Sequence, residues 1–241
     1  MISIWHNRAM PRSPRSWLGG YCYHVLSRGN ARAEVVHDEA DYAAFVRLLR
    51  RACARVPMRV LAYGLMPNHF HLARWPVGDG AVSRWMDWLL TAHVGRYRKR
   101  YRSSGHIWQG RFKAFPICQD EHLLVVLRYI ERNALRANLV TRAEEWRWSS
   151  LHERLLGQAM PWLDAGPAPR PADWLQSVNE AHTEAELARL RQSVQRGCPF
   201  GGPDWTTQTA AALGLEFTLR PCGRPKKRPV TPPAAEPGLF E

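Results

Sequence analysis

The chain has 241 residues, 45% of them hydrophobic, enough to bury a sizeable core. Its formal net charge is +13, from 34 Lys and Arg against 21 Asp and Glu, which points to a polyanionic partner. No apolar run approaches the roughly 18 residues of a membrane span. The opening "MISIWHNRAMPRSPRSW" lacks the apolar stretch of a signal peptide, and the five cysteines include no Cys-x-x-Cys pair. These features argue against a membrane-spanning protein, a disulfide framework and a zinc knuckle, and fit a reducing cytoplasm.

Residues 1–19 read as a basic leader, with Met10 a candidate start. Residues 20–28, "GYCYHVLSR", read as a strand closed by the turn Arg28-Gly29-Asn30. Asp38 is placed to cap a helix over 39–55, where Tyr42, Phe45, Leu48, Leu49 and Ala52 recur at helical spacing; Pro57 ends it. Residues 58–66 read as a strand, Pro67-Asn68 as a turn, and 69–75 as the hairpin partner. A long helix is predicted over 81–101. Residues 112–118 form a short strand that Pro116 confines to a sheet edge. Asp120 caps a last helix over 121–137.

The order strand, helix, strand, strand, helix, strand, helix predicts an α+β, ferredoxin-like antiparallel sheet with helices packed on one face. The other face is left for a site. Residues 20–157 are expected to form this domain. Residues 158–220 are a C-terminal extension, opened by a Pro-rich linker and containing an amphipathic helix over 183–196. Residues 221–241 are basic, Pro-rich and expected to be disordered.

Two residue pairs carry chemistry. His69 and His71 sit two apart on a strand, so both imidazoles share one face while Phe70 and Leu72 share the other. Paired surface histidines are common, but two neutral imidazoles on a rigid strand also make half of a divalent-metal site. Tyr129 and Asn133 are four apart on the last helix, stacked on one side and rotated away from the core stripe Leu123, Leu127, Ile130 and Ala134. Asn133 offers a hard oxygen ligand suited to Mg²⁺ or Mn²⁺, and Tyr129 a phenol. His122 is read as a surface residue.

Residues 84–113 hold Arg84, Arg96, Arg98, Lys99, Arg100, Arg102, Arg111 and Lys113 against the single acid Asp87. Trp85, Trp88, Tyr97, Tyr101, Trp108 and Phe112 are interleaved with them, Trp85 and Trp88 as core residues. Cations for phosphates and flat rings for unstacked bases suit single-stranded nucleic acid. Gly223-Arg224-Pro225-Lys226-Lys227 resembles part of an AT-hook, with Cys222 where that motif has Arg.

Five motifs in order, "RGN" (28–30), "MPNHFHL" (66–72), "GHIWQGRF" (105–112), "RYIERNALRANLV" (128–140) and "WRWSS" (146–150), closely resemble the REP-associated tyrosine transposases. These are relatives of the single-tyrosine insertion-sequence transposases. The likeness covers about residues 11–150. It implies an HUH nuclease domain in which His69 and His71 bind the metal, Asn133 supplies the third ligand where insertion-sequence relatives usually have Gln, and Tyr129 is the nucleophile. Pro116 departs from the family's strand.

The implied partner is single-stranded or hairpin DNA of the repetitive extragenic palindrome (REP) type. On this reading Arg28, Asn30, Arg96, Arg98, Lys99, Arg100, Trp108, Gln109, Arg111, Lys113, Arg128, Arg132 and Arg224 contact DNA. The implied reaction is metal-dependent cleavage and rejoining through a 5′-phosphotyrosine. The rival is a catalytically silent hairpin-binding regulator. The resemblance also implies a bacterial, nucleoid-associated protein. The long tail favours a monomer over a homodimer.

Overall fold

Side chains of "CYHVLSR" go alternately to opposite faces, and both faces are apolar enough to be buried, so the segment suits a central strand. The computed structural model describes residues 17–157 and 161–220. It places this segment as β1 (Cys22–Arg28), flanked by β3 (His69–Pro76) and β4 (Lys113–Ile117), with β2 (Met58–Leu65) beyond β3. The order is β2-β3-β1-β4 and all three pairings are antiparallel, compatible with a ferredoxin-like layout.

Between the strands run α1 (Glu39–Arg55), with Asp38 accepting the Asp41 N–H at its start, and α2 (Ala81–Tyr101). Both pack on one sheet face, where Phe45, Leu49, Trp85 and Leu89 meet Tyr23, Val25, Phe70 and Leu72. Each such side chain contributes about 1.5–3 kcal/mol when fully buried.

The predicted helix over 121–137 is divided into α3 (Glu121–Glu131) and α4 (Asn133–Arg136) at Arg132, whose ψ of −5° interrupts the regular helix. Bonds from Arg132 N–H to the Arg128 carbonyl and from Arg136 N–H to the Arg132 carbonyl carry the axis across the break. The stripe Leu123, Leu127 and Ile130 needs burial. It finds it on the second sheet face, against Cys22, Ala73, Phe115 and Ile117. That face, left free by the sequence reading, is therefore covered, and the site forms in the seam between α3 and the sheet.

Both sheet edges are sheltered. Along β2, Leu65 N–H donates to the Trp148 carbonyl, and the "WRWSS" segment leads into α5 (Ser150–Leu155). Ser150 Oγ bonds both the Tyr63 N–H and Glu131. Pro116 lies on the edge strand β4, as its missing N–H requires, and its carbonyl accepts the Phe200 N–H at 2.9 Å. The extension folds as α6 (Trp174–Asn179), α7 (Glu184–Arg196) and α8 (Pro203–Leu213). Trp174, Val178, Leu187 and Leu190 join the α3-side core. The leader, Met10, Arg224 and the AT-hook-like segment lie outside the described residues. Among the described residues no helix is long and apolar enough to cross a membrane.

Candidate active site

The alternation on β3 sends Phe70 and Leu72 into the core with α1 and α2, so His69 and His71 face α3. β1 registers Leu26 against His71 and Arg28 against His69, and β2 sets Gly64 beside His71. At Gly64 the helix comes close: a Cβ there would lie 2.7 Å from the Ile130 carbonyl oxygen. A residue without a side chain is what lets α3 approach the histidine strand.

Tyr129 and Asn133 are thereby brought to the imidazole pair. The Tyr129 ring stands edge-on to that of His71 with centroids 5.5 Å apart, and the two histidine rings are 5.0 Å apart. Asn133 lies close enough to His69 to bear on its protonation. His71, Tyr129 and Asn133 are buried and His69 is half-buried, so the site is a largely enclosed seam rather than an open face.

Burial sets the protonation. Desolvation, with Arg28 and Arg136 nearby, pushes His69 down to about 4. Desolvation and the neighbouring histidines push His71 well below the usual imidazole range. Both rings are neutral at pH 7, the form that ligates metals. The Nδ1 of His69 lies 2.6 Å from Asn68 Oδ1, an oxygen that can only accept, so this nitrogen carries the proton and Nε2 carries the lone pair. The Asn133 Nδ2 is buried with no hydrogen-bond partner among the described residues, so its carboxamide is not consumed by packing. Two neutral imidazoles and an adjacent carboxamide form a donor set that fits a hard or borderline divalent cation.

Three neighbours were not singled out by the sequence. Arg136 Nη2 donates to Tyr129 Oη at 3.2 Å, and its guanidinium lies 4.9 Å from the ring centroid. The signal was available: Arg136 is seven residues, two turns, beyond Tyr129. His182, from the extension, stands edge-on to Tyr129 at 6.1 Å. His24 is fully buried, and its Nε2 is 2.9 Å from His71 Nδ1. Alternation put His24 on the α3 side with Cys22, but only the strand pairing brings it to His71.

The "RGN", "MPNHFHL" and "GHIWQGRF" motifs meet at one end of the sheet. Gly29 N–H donates to the Asn68 carbonyl, Asn30 N–H to Ile107, and Gln109 N–H to Arg28. Arg28, Asn30, Arg98, Lys99, Gln109, Arg111 and Lys113 are exposed. Other expected DNA contacts are engaged within the protein. Arg96 and Arg100 bind Asp41 at 2.6 and 3.0 Å, clamping α2 to α1. Arg128 makes a two-pronged bond to Glu186 of α7. Arg132 donates to the Glu180 carbonyl. Trp108 is withdrawn from base stacking: it is buried against Phe45, Phe70 and His93 because its segment folds over the sheet end. Trp85 is core, as expected, and Trp88 lies half-buried under Arg51 and Arg55.

Asp120, Glu121 and His122 also cluster, at the opposite end of α3 from Tyr129. Asp120 there caps the helix, accepting the backbone N–H of His122 and pairing with its ring.

Residues 19–133 match the family described as "Transposase IS200 like". The chain is 28% identical over 123 residues to a Haemophilus influenzae protein assigned as a REP-associated tyrosine transposase, covering 46% of this chain and 69% of the relative. Among solved structures, one of a REP-associated tyrosine transposase bound to a REP hairpin aligns at TM-score 0.48 and 18% identity. That alignment covers 64% of this chain and 90% of the other. A Deinococcus radiodurans protein assigned as a transposase aligns at TM-score 0.37 and 17% identity, over 50% of this chain and 96% of that one.

Proposed function

From its similarity to the REP-associated tyrosine transposases, with the IS200-like transposase domain at residues 19–133, we propose that this protein is a metal-dependent single-stranded DNA endonuclease and strand transferase. Its substrate is a REP-type DNA hairpin, and its intermediate a 5′-phosphotyrosine. The observation that carries this reading is the meeting of Tyr129 with the His69, His71 and Asn133 donor set in one seam. We assign the DNA-acting domain to residues 20–157.

Tyr129 Oη attacks the scissile phosphorus. The phenol loses its proton, the P–O3′ bond breaks, and the leaving 3′ oxygen ends as a hydroxyl. Arg136, already donating to Tyr129 Oη, orients the attacking oxygen and presents a cation to the phosphate. His69, His71 and Asn133 would hold the Mg²⁺ or Mn²⁺ ion. When bound, that ion would neutralise developing charge on the phosphate. The covalent phosphotyrosine conserves the phosphodiester energy, so another 3′-hydroxyl can reverse the step and join strands without ATP. The exposed cations Arg28, Lys99, Arg111 and Lys113 track the backbone.

The test uses labelled hairpin oligonucleotides copied from inverted repeats flanking the gene, with Mg²⁺ or Mn²⁺. Wild-type protein should form a covalent adduct that survives a denaturing gel. Tyr129→Phe should bind the oligonucleotide and form none, and His69→Ala should lose most of the adduct. Cleavage by Tyr129→Phe would remove the nucleophile assignment. Binding without any adduct in the wild type would favour the silent regulator.

A further inference from the structure

His24 stands behind His71 in the interior. Their rings are nearly parallel, 9° apart with centroids at 5.0 Å, and one contact joins them, His24 Nε2 to His71 Nδ1 at 2.9 Å. Phe115 and Tyr129 present ring edges to His24 from two further sides. The remaining His24 nitrogen, Nδ1, is buried with no partner among the described residues.

A contact between two neutral imidazole nitrogens needs one donor and one acceptor, so only two arrangements exist. If His24 Nε2 carries the proton, His71 accepts at Nδ1 and holds its own proton on Nε2, where it cannot ligate a metal. If His71 Nδ1 carries it, His24 accepts, and His71 Nε2 is a free lone pair. The second arrangement matches His69, whose Nδ1–H is held by Asn68 and whose Nε2 is likewise free. Histidines that bind metals through one nitrogen generally donate the other N–H to a fixed acceptor.

We propose that His24 is a positioning residue for the metal site: it accepts the Nδ1 proton of His71 and so commits His71 to the tautomer whose Nε2 lone pair faces the ion. This rests on the reading of His71 as a metal ligand. Histidine is an unusual acceptor here, because a carboxylate would add a buried charge beside Tyr129. The price is an unpartnered N–H on His24.

Two measurements on the full-length protein test this. Nitrogen NMR of histidine-labelled, metal-free protein should show His71 protonated on Nδ1 and bare on Nε2. Mn²⁺ affinity, read by electron paramagnetic resonance, should weaken about 10- to 100-fold in His24→Phe, which fills the space without an acceptor. His24→Gln, whose side-chain carbonyl can accept, should recover most of the affinity. A wild-type His71 protonated on Nε2 would overturn the proposal. So would a folded His24→Phe variant with wild-type affinity, or a His24 ring that ligates the ion directly. Should His24→Phe fail to fold, the wild-type spectrum and His24→Gln still decide. Wild-type protein with no Mn²⁺ binding sensitive to His71→Ala would mean that the metal-site reading itself has failed. Intact binding indifferent to His24 would sink this inference alone.

Discussion

Arg136 and Gly64 show how single positions shape the seam. Arg136 holds the Tyr129 hydroxyl from an exposed position on α4, so its removal should spare the core. Arg136→Ala should slow adduct formation about 100-fold, the usual scale for losing one donor to a reacting oxygen. Melting temperature and oligonucleotide affinity should change little. An unchanged rate would mean the contact to Tyr129 is incidental. Gly64 acts through its missing Cβ. Gly64→Ala forces the Ile130 carbonyl away from β2 and displaces the Tyr129 turn. The expected cost is about 1–3 kcal/mol in stability and up to about 100-fold in rate, the penalty of roughly 1 Å of misplacement. An alanine variant as fast as wild type would show that α3 is not held there.

Between elements, buried carboxylates act as rivets. Glu131, at the end of α3, accepts from Ser150 of α5 and from Trp174 of α6, which ties "WRWSS" and the extension to the helix that carries Tyr129. Asp41 does the same between α1 and α2. Burial alone would raise its pKa, but hydrogen bonds from Tyr101, Arg96 and the His37 N–H outweigh that and hold it below the ordinary carboxylate value. A carboxylate with a depressed folded-state pKa stabilises the fold above its unfolded pKa, about 4, and loses that contribution as pH falls through the folded value. Asp41→Asn should cost about 1–3 kcal/mol at neutral pH and flatten the loss of stability below about pH 4. Acid titrations of both proteins by circular dichroism check this. Parallel curves would exclude Asp41 as the acid-sensitive group.

For the whole molecule, the +13 charge is not spread evenly in effect. Arg96, Arg100 and Arg128 neutralise internal acids, whereas Arg28, Lys99, Arg111 and Lys113 have no ion pair among the described residues. Replacing Lys113 or Arg111 by Ala should weaken single-strand binding and reduce the slope of log affinity against log salt by about 0.7 each. Arg96→Ala should leave that slope unchanged and lower stability instead. The reverse pattern would mean that Asp41 releases Arg96 to the DNA.

The sequence by itself determined the elements and the chemical types. Period-two alternation put His69 and His71 on one face, spacing put Tyr129 and Asn133 on one side of a helix, and Asp38, Pro57 and Asp120 set helix ends within a residue of where they fall. These features are local, and local sterics and hydrogen bonding decide them. Only the tertiary structure decided which face α3 covers, that His24 lies behind His71, that Arg136 reaches Tyr129, and which arginines are already paired. Trp108 is the clearest case: aromatic and flanked by cations in sequence, it serves the core because the chain folds it over Phe70. Such outcomes depend on register and packing between segments far apart in the chain, and no short-range pattern carries that information.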